Sequence, residues 1–197
     1  IIPILNIYGT GARVQKELPD CTVLDGCIYV SASLEHPGVL VQHGPILRVV
    51  FGSRNPSYIS PILSAIQSDL CESGIDGVLS THIQRDALEK FSYVSPIGAA
   101  GVYLHAVAGD FQKEGAAREL FKSMIREIST LAAAMGYPFE KDYVKINLEI
   151  LSNLSADATT SMQRDIMEGK PSELDGLVME PLRLAKKYSV SMPCYEE

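Results

Sequence analysis

Lys90, Ser161, Glu173 and Asn6 are the residues whose type and setting could do chemistry. Lys90 stands in Leu88-Glu89-Lys90-Phe91-Ser92-Tyr93, at the head of a mostly apolar stretch that runs to Leu104. A lysine entering an apolar helix has two fates. It snorkels, with its stem on apolar neighbours and its ammonium in water, or it points into a cleft. In a cleft the ammonium can donate a proton to a carbonyl oxygen as hydride arrives. Ser161, in Thr159-Thr160-Ser161-Met162-Gln163, and Glu173, in Ser172-Glu173-Leu174-Asp175-Gly176, each fall in the first turn of an expected helix. Free backbone N–H groups and the helix dipole favour anions there, so a substrate carboxylate can dock beside Ser161. The plain alternatives are ordinary N-terminal helix chemistry for Ser161 and a dipole-complementing acid for Glu173. Asn6 follows an apolar run, in Asn6-x-x-Gly9-Thr10. At the carboxyl end of a strand its amide can orient a cofactor ring or a substrate oxygen; as a turn residue it needs no ligand.

The elements that must position these residues change character along the chain. Ile1–Leu5 reads as a short, fully buried strand, Asn6–Gly11 as a turn, and Ala12–Leu18 as a short helix broken by Pro19-Asp20. Thr22–Ala32, Val39–His43 and Leu47–Phe51 read as strands, an antiparallel ribbon closing one side of a sheet, with a turn at Glu35-His36-Pro37-Gly38. Pro56 opens a helix to about Leu70 with Ile59, Ile62, Leu63, Ile66 and Leu70 on one face; Val78-Leu79-Ser80 is a last short strand or linker. Beyond it the pattern is helical. Helices are expected over Ile83–Leu104, kinked at Pro96 and Gly98, over Lys113–Met135, stopped by Gly136, and over Asp142–Leu154. Thr160–Glu168 opens with the capping box Thr160-x-x-Gln163, and Glu173–Tyr188 contains Gly176 and Pro181. The expected layout is an α/β remnant over residues 1–80 and an all-α domain over residues 81–197. A chain that opens without Met on a core-type apolar run reads as a truncation.

Composition narrows the function. Of 197 residues, 46% are apolar and 21% charged, which is ample for a core. The net charge of −7, with basic residues scattered and Lys186-Lys187 the only adjacent pair, argues against nucleic acid or an anionic membrane as partner. No apolar run approaches the roughly 18–20 residues that span a bilayer. The four cysteines fit no zinc spacing and the four histidines form no H-x-x-x-H pair, so no metal is expected. Free thiols fit a reducing compartment, the cytoplasm. Gly9-Thr10-Gly11 is followed by Ala12-Arg13-Val14, not by the third glycine of a dinucleotide fingerprint, so a phosphate-cradling loop is not expected in this chain.

Taken together the residues carry a resemblance. Thr160-Ser161-Met162-x-x-Asp165 followed by Glu173-Leu174-Asp175 resembles the signature segment of the ketopantoate reductases (2-dehydropantoate 2-reductases). In order along the chain, Ile2-Pro3-Ile4-Leu5-Asn6-x-x-Gly9, Leu24-Asp25-Gly26, Pro37-Gly38-Val39, Val50-Phe51-Gly52, Leu88-x-Lys90-Phe91 and Val190-x-Met192-Pro193 resemble further family segments. The resemblance covers essentially the whole chain. It implies the carboxyl-terminal portion of a Rossmann-type NADPH-binding domain, then a helical domain like that of 6-phosphogluconate dehydrogenases. The implied reaction reduces 2-dehydropantoate to pantoate in coenzyme A synthesis, with a homodimer possible. By match, Lys90 is the general acid, Ser161 holds the substrate carboxylate, and Glu173 binds a substrate hydroxyl and helps position Lys90. Asn6 lies by the nicotinamide and the substrate. Three departures bear on the substrate. The family's N-G-x-G reads Asn6-Ile7-Tyr8-Gly9, and asparagines one and two turns after the lysine are replaced by Val94 and Gly98, with Pro96 between them. A pocket less polar than the family pattern follows.

Overall fold

The computed structural model describes residues 1–58 and 60–197 and is a mixed α/β structure: a small three-stranded sheet and many helices. It divides into two compact units, Ile1–Ala87 and Leu88–Glu197.

In the first unit, helix α1 (Thr10–Glu17) precedes the long strands β1 (Asp25–His36) and β2 (Val39–Gly52), an antiparallel hairpin closed at Pro37-Gly38. Helix α2 (Pro61–Glu72) leads back to β3 (Asp76–Leu79), which pairs parallel to β2 from Arg48↔Asp76 to Phe51↔Leu79. The expected strands Val39–His43 and Leu47–Phe51 are one element. Gly44, at φ +84°, and Pro45 fall where the register jumps from Val30↔Leu47 to Ala32↔Gln42, so the interruption is a bulge within β2. The core packs Leu24, Val49 and Phe51 of the sheet region against Leu63, Ile66 and Leu70 of α2.

Two local expectations need correction. Ile1–Leu5 is not a buried strand: Ile1 and Leu5 are both 56% exposed, and only Ile2 and Ile4 join the core. One ladder-like bond, Leu24 N–H to Ile1 O at 2.9 Å, is made, and Pro3 has no N–H with which to extend it. The next helix starts at Pro61, not Pro56. Asn55 Oδ1 accepts from Ser57 N–H at 3.0 Å and Asn55 O from Tyr58 N–H at 3.0 Å, so Pro56 occupies a turn. Ile59, expected on that helix face, lies outside the described residues.

Helix α3 (Ile83–Leu104) enters the second unit at Leu88. It is followed by α4 (Ala108–Gln112), α5 (Ala116–Ala134), α6 (Tyr143–Ser152) and α7 (Ser161–Met167). A π-helical turn, Asp175–Met179, leads into α8 (Glu180–Tyr188), and α9 (Pro193–Glu196) ends the chain. The apolar stripe of α5 (Phe121, Met124, Ile125, Ile128, Leu131) is almost wholly buried, each side chain contributing roughly 2 kcal/mol. Asp142 caps α6 by accepting from Lys145 N–H, and Gly136, at φ +89°, follows α5 as its stop. The expected helix Glu173–Tyr188 is split, because Pro181 cannot donate to the carbonyl four residues back and the turn before it widens to π. Helices α4 and α9, too short for a periodicity signal, were not expected.

Candidate functional site

Lys90, Ser161 and Glu173 all belong to the second unit, and α3 is the element on which their carriers converge. Lys90 is half-buried on α3. A row of small residues winds round the helix after it at spacing three: Ser92, Ser95, Gly98 and Gly101. Rows of this kind are the ridges and grooves by which helices pack. Each member meets a different group. Asn147 of α6 donates to Ser92 O and to Ser92 Oγ, both at 3.0 Å. Ser95 Oγ donates to Leu177 O in the π turn at 2.5 Å and stands 2.5 Å from the Tyr195 hydroxyl of α9. A Cβ on Gly98 would lie 3.0 Å from Met162 Cε, and one on Gly101 would lie 2.6 Å from Gln163 Cδ. Gly98 and Gly101 therefore let the first turn of α7 seat directly on α3.

That first turn carries Ser161. Thr160 is the N-cap, its Oγ1 accepting from Gln163 N–H at 3.2 Å while Gln163 Oε1 accepts from Thr160 N–H at 2.9 Å. The expected capping box is present. Gln163 is buried and has a further task, since its Nε2 donates to Ala106 O at 2.8 Å. Ser161 itself is exposed, directly after a cap that is pinned on two sides. Glu173 is half-buried, and its carbonyl accepts from Leu177 N–H at 2.9 Å, so it opens the turn that Ser95 holds.

Prolines explain the two side-chain-to-carbonyl bonds. Pro96, inside α3, has no N–H for Ser92 O, and Pro181 has none for Leu177 O. Both carbonyls belong to buried residues, where a missing partner costs about 1–3 kcal/mol. Asn147 supplies the donor to one and Ser95 to the other. The Ser95 proton goes to Leu177 O, so the Tyr195 hydroxyl donates to Ser95 Oγ. The result is a relay of two bonds that polarise each other. Burial raises the Tyr195 phenol above its usual range, which keeps it a donor. The signal for these residues was present in Ser92-x-x-Ser95-x-x-Gly98-x-x-Gly101 and in the mid-helix Pro96, but neither marks a partner.

Asn6 belongs to the first unit. The turn it opens sits over a polar cluster: Tyr8 Oη donates to Gln84 Oε1 at 2.7 Å, and Gln84 Nε2 donates to Asp25. Arg54 pairs with Asp25 at 2.7 Å and also donates to Val23 O at 2.8 Å. Gly11 abuts that cluster: a Cβ there would fall 1.8 Å from Asp25 Oδ1. Gly9, at φ +78°, has open space where its Cβ would be.

An apolar cavity of about 200 Å³ in the second unit is lined by Ala99, Tyr103, Met124, Leu174, Val178 and Cys194, among others. None of Lys90, Ser161 or Glu173 lines it. Burial and a hydrogen bond to Glu127 push the Cys194 thiol up to about 11. Among the described residues, no group of three or more His, Cys, Asp and Glu side chains is arranged to hold a metal ion. No described helix is long and apolar enough to cross a membrane.

The architecture has relatives. The chain is 24% identical over 196 residues to an uncharacterised oxidoreductase of Bacillus subtilis (strain 168), covering 100% of this chain and 64% of that protein. It spans a little under two thirds of the relatives it matches. The crystal structure of 2-dehydropantoate 2-reductase from Geobacter metallireducens GS-15 superposes with a TM-score of 0.90 at 21% identity, over 100% of this chain and 65% of that one. A ternary structure of D-mandelate dehydrogenase with NADH and anilino(oxo)acetate superposes with a TM-score of 0.85 at 20% identity, over 99% and 63%. The family model for the ketopantoate reductase PanE/ApbA C terminal matches residues 82–197. With its second unit built on that pattern, the chain belongs to the ketopantoate reductase family.

Proposed function

We propose that the full-length protein reduces 2-dehydropantoate to (R)-pantoate with NADPH, and that residues 1–80 are the carboxyl-terminal portion of its Rossmann-type domain. The observation that carries this reading is the convergence on α3. The helix bearing Lys90 is packed through Gly98 and Gly101 on the turn bearing Ser161, and bonded through Ser95 to the turn opened by Glu173.

In this reading the exposed Ser161, at the head of α7, receives the substrate carboxylate, where the positive end of the helix dipole favours an anion. The Lys90 ammonium stabilises the charge that develops on the ketone oxygen and delivers a proton to it. Stabilising developing charge is usually the largest catalytic contribution. Glu173 orients Lys90 and accepts from a substrate hydroxyl. The open face of Gly9 leaves room beside Asn6 for one end of the dinucleotide, whereas Gly11 is closed off by Asp25. When bound, the reduced dinucleotide supplies the hydride.

A second reading, reduction of another 2-keto acid, is favoured by Val94 and Gly98. Gly98 offers no side chain, and the space beyond it is filled by Met162, which is wholly buried. Val94, one turn after Lys90, is apolar. A D-mandelate dehydrogenase of similar fold, solved with anilino(oxo)acetate, supports an aryl or alkyl keto acid as the alternative substrate.

Both readings are tested by the full-length protein with NADPH, NADH and a panel of 2-keto acids. Turnover of 2-dehydropantoate that Lys90→Ala abolishes supports the first; turnover confined to apolar keto acids selects the second. Absence of turnover across the panel by folded protein that binds the dinucleotide refutes both.

A further inference from the structure

We infer that Ser95, backed by Tyr195, is a positioning residue that fixes the Glu173 turn against the Lys90 helix. The inference rests on the roles proposed above for Lys90 and Glu173. It begins from a conflict in the chain. Pro181 denies Leu177 O its helical donor, and the turn Asp175–Met179 adopts π geometry, one residue longer per turn than its neighbours. A π turn that slips by one residue rotates the side chains before it by about 100° around the axis. Glu173 stands two residues before this turn, so its direction depends on which register the turn keeps.

Ser95 decides the register. It is wholly buried, lies five residues after Lys90 on the same helix, and donates to Leu177 O at 2.5 Å. Tyr195 donates to it from the other side at 2.5 Å. Tyr195 is itself held in place, because the neighbouring Cys194 N–H donates to Glu127 Oε1 of α5 at 2.8 Å. Apolar contacts alone would let the turn slide along α3. A hydrogen bond to one named carbonyl does not, because a one-residue slip strands both the hydroxyl and the carbonyl in the interior. The last helix of the chain thereby acts on the site without touching substrate.

The test compares Ser95→Thr with Ser95→Val in the full-length protein, an isosteric pair that differs only in the hydroxyl. Tyr195→Phe, Glu173→Gln and Lys90→Ala complete the set. Ser95→Val is expected to lose at least tenfold in kcat relative to Ser95→Thr, with the KM for NADPH unchanged, and Tyr195→Phe a few-fold. The basic limb of the kcat/KM profile should move to lower pH in Ser95→Val, as in Glu173→Gln, since an ammonium sheds its proton more readily when a carboxylate retreats. Amide exchange across Asp175–Met179 should be at least tenfold faster in Ser95→Val than in Ser95→Thr. Equal exchange rates in the two variants overturn the inference, whatever the activity. So does a loss of activity with an unmoved pH profile. If Lys90→Ala keeps full turnover, the proposed reaction fails instead, and the exchange measurement still judges Ser95.

Discussion

Replacing Asn147 by Leu tests whether a side chain from α6 stands in for the N–H that Pro96 lacks. Asn147 is 1% exposed and donates to Ser92 O and Ser92 Oγ, both at 3.0 Å. Losing two such bonds costs about 1 kcal/mol each, and leaving a buried carbonyl without a donor adds about 1–3 kcal/mol. The single substitution should therefore destabilise the second unit by about 3–5 kcal/mol. Pro96→Ala restores an N–H four residues after Ser92, directed along the helix at the same carbonyl. In that background the carbonyl keeps a partner, and Asn147→Leu should cost only about 1 kcal/mol. The coupling energy in the double-mutant cycle is then about 2–4 kcal/mol, well above the few tenths expected of independent sites. Urea unfolding followed by far-ultraviolet circular dichroism measures all four corners, with the m-values checked for constancy. Additive losses, or an Asn147→Leu cost below about 0.5 kcal/mol in the parent, would refute the compensation.

Three other predictions follow from the same geometry. Gly101→Ala would ordinarily stabilise a helix by up to about 1 kcal/mol, but here its Cβ meets the pinned Gln163. It should lower the unfolding midpoint and raise the KM for the keto acid through Ser161, and a stabilised variant with unchanged KM would contradict it. The Tyr93 hydroxyl is buried without a hydrogen-bond partner, and burial pushes it up to about 12 from 10.0. A raised folded value means stability that is intact below pH 10 and drains away as pH rises through about 12. Tyr93→Phe should therefore gain about 1 kcal/mol at pH 7 and flatten the alkaline loss, both read from urea midpoints across pH. Cys194 should alkylate far more slowly than the exposed Cys21 and Cys71 at pH 8, with a rate still climbing towards pH 11, as followed by peptide mass spectrometry. Equal rates for the three would show the thiol to be in open solvent.

The elements that carry the candidate residues were legible where they rest on local signals. The capping box at Thr160 and Gln163, the stop at Gly136 and the long apolar faces of α3 and α5 are written in short stretches of chain, and all stand in the structure. Reading failed where a local pattern met a non-local constraint. Ile1–Leu5 has the composition of a core strand, yet Pro3 and a single ladder bond leave its outer residues in solvent. Pro56 and Pro61 fit a helix start equally well by type; the turn that Asn55 builds decided between them.

The two prolines mark the division most clearly. Covalent geometry alone dictates that Pro96 and Pro181 each leave a carbonyl, Ser92 O and Leu177 O, without a helical donor. That much belongs to the sequence, along with the row of small residues that lets neighbours approach α3. Which side chains answer is a tertiary matter. Asn147 lies 55 residues from Ser92 and Ser95 lies 82 from Leu177, and no periodicity links positions that far apart. Only the packed second unit brings those donors to those carbonyls, because a buried carbonyl cannot borrow from water and must be met by whatever the fold delivers.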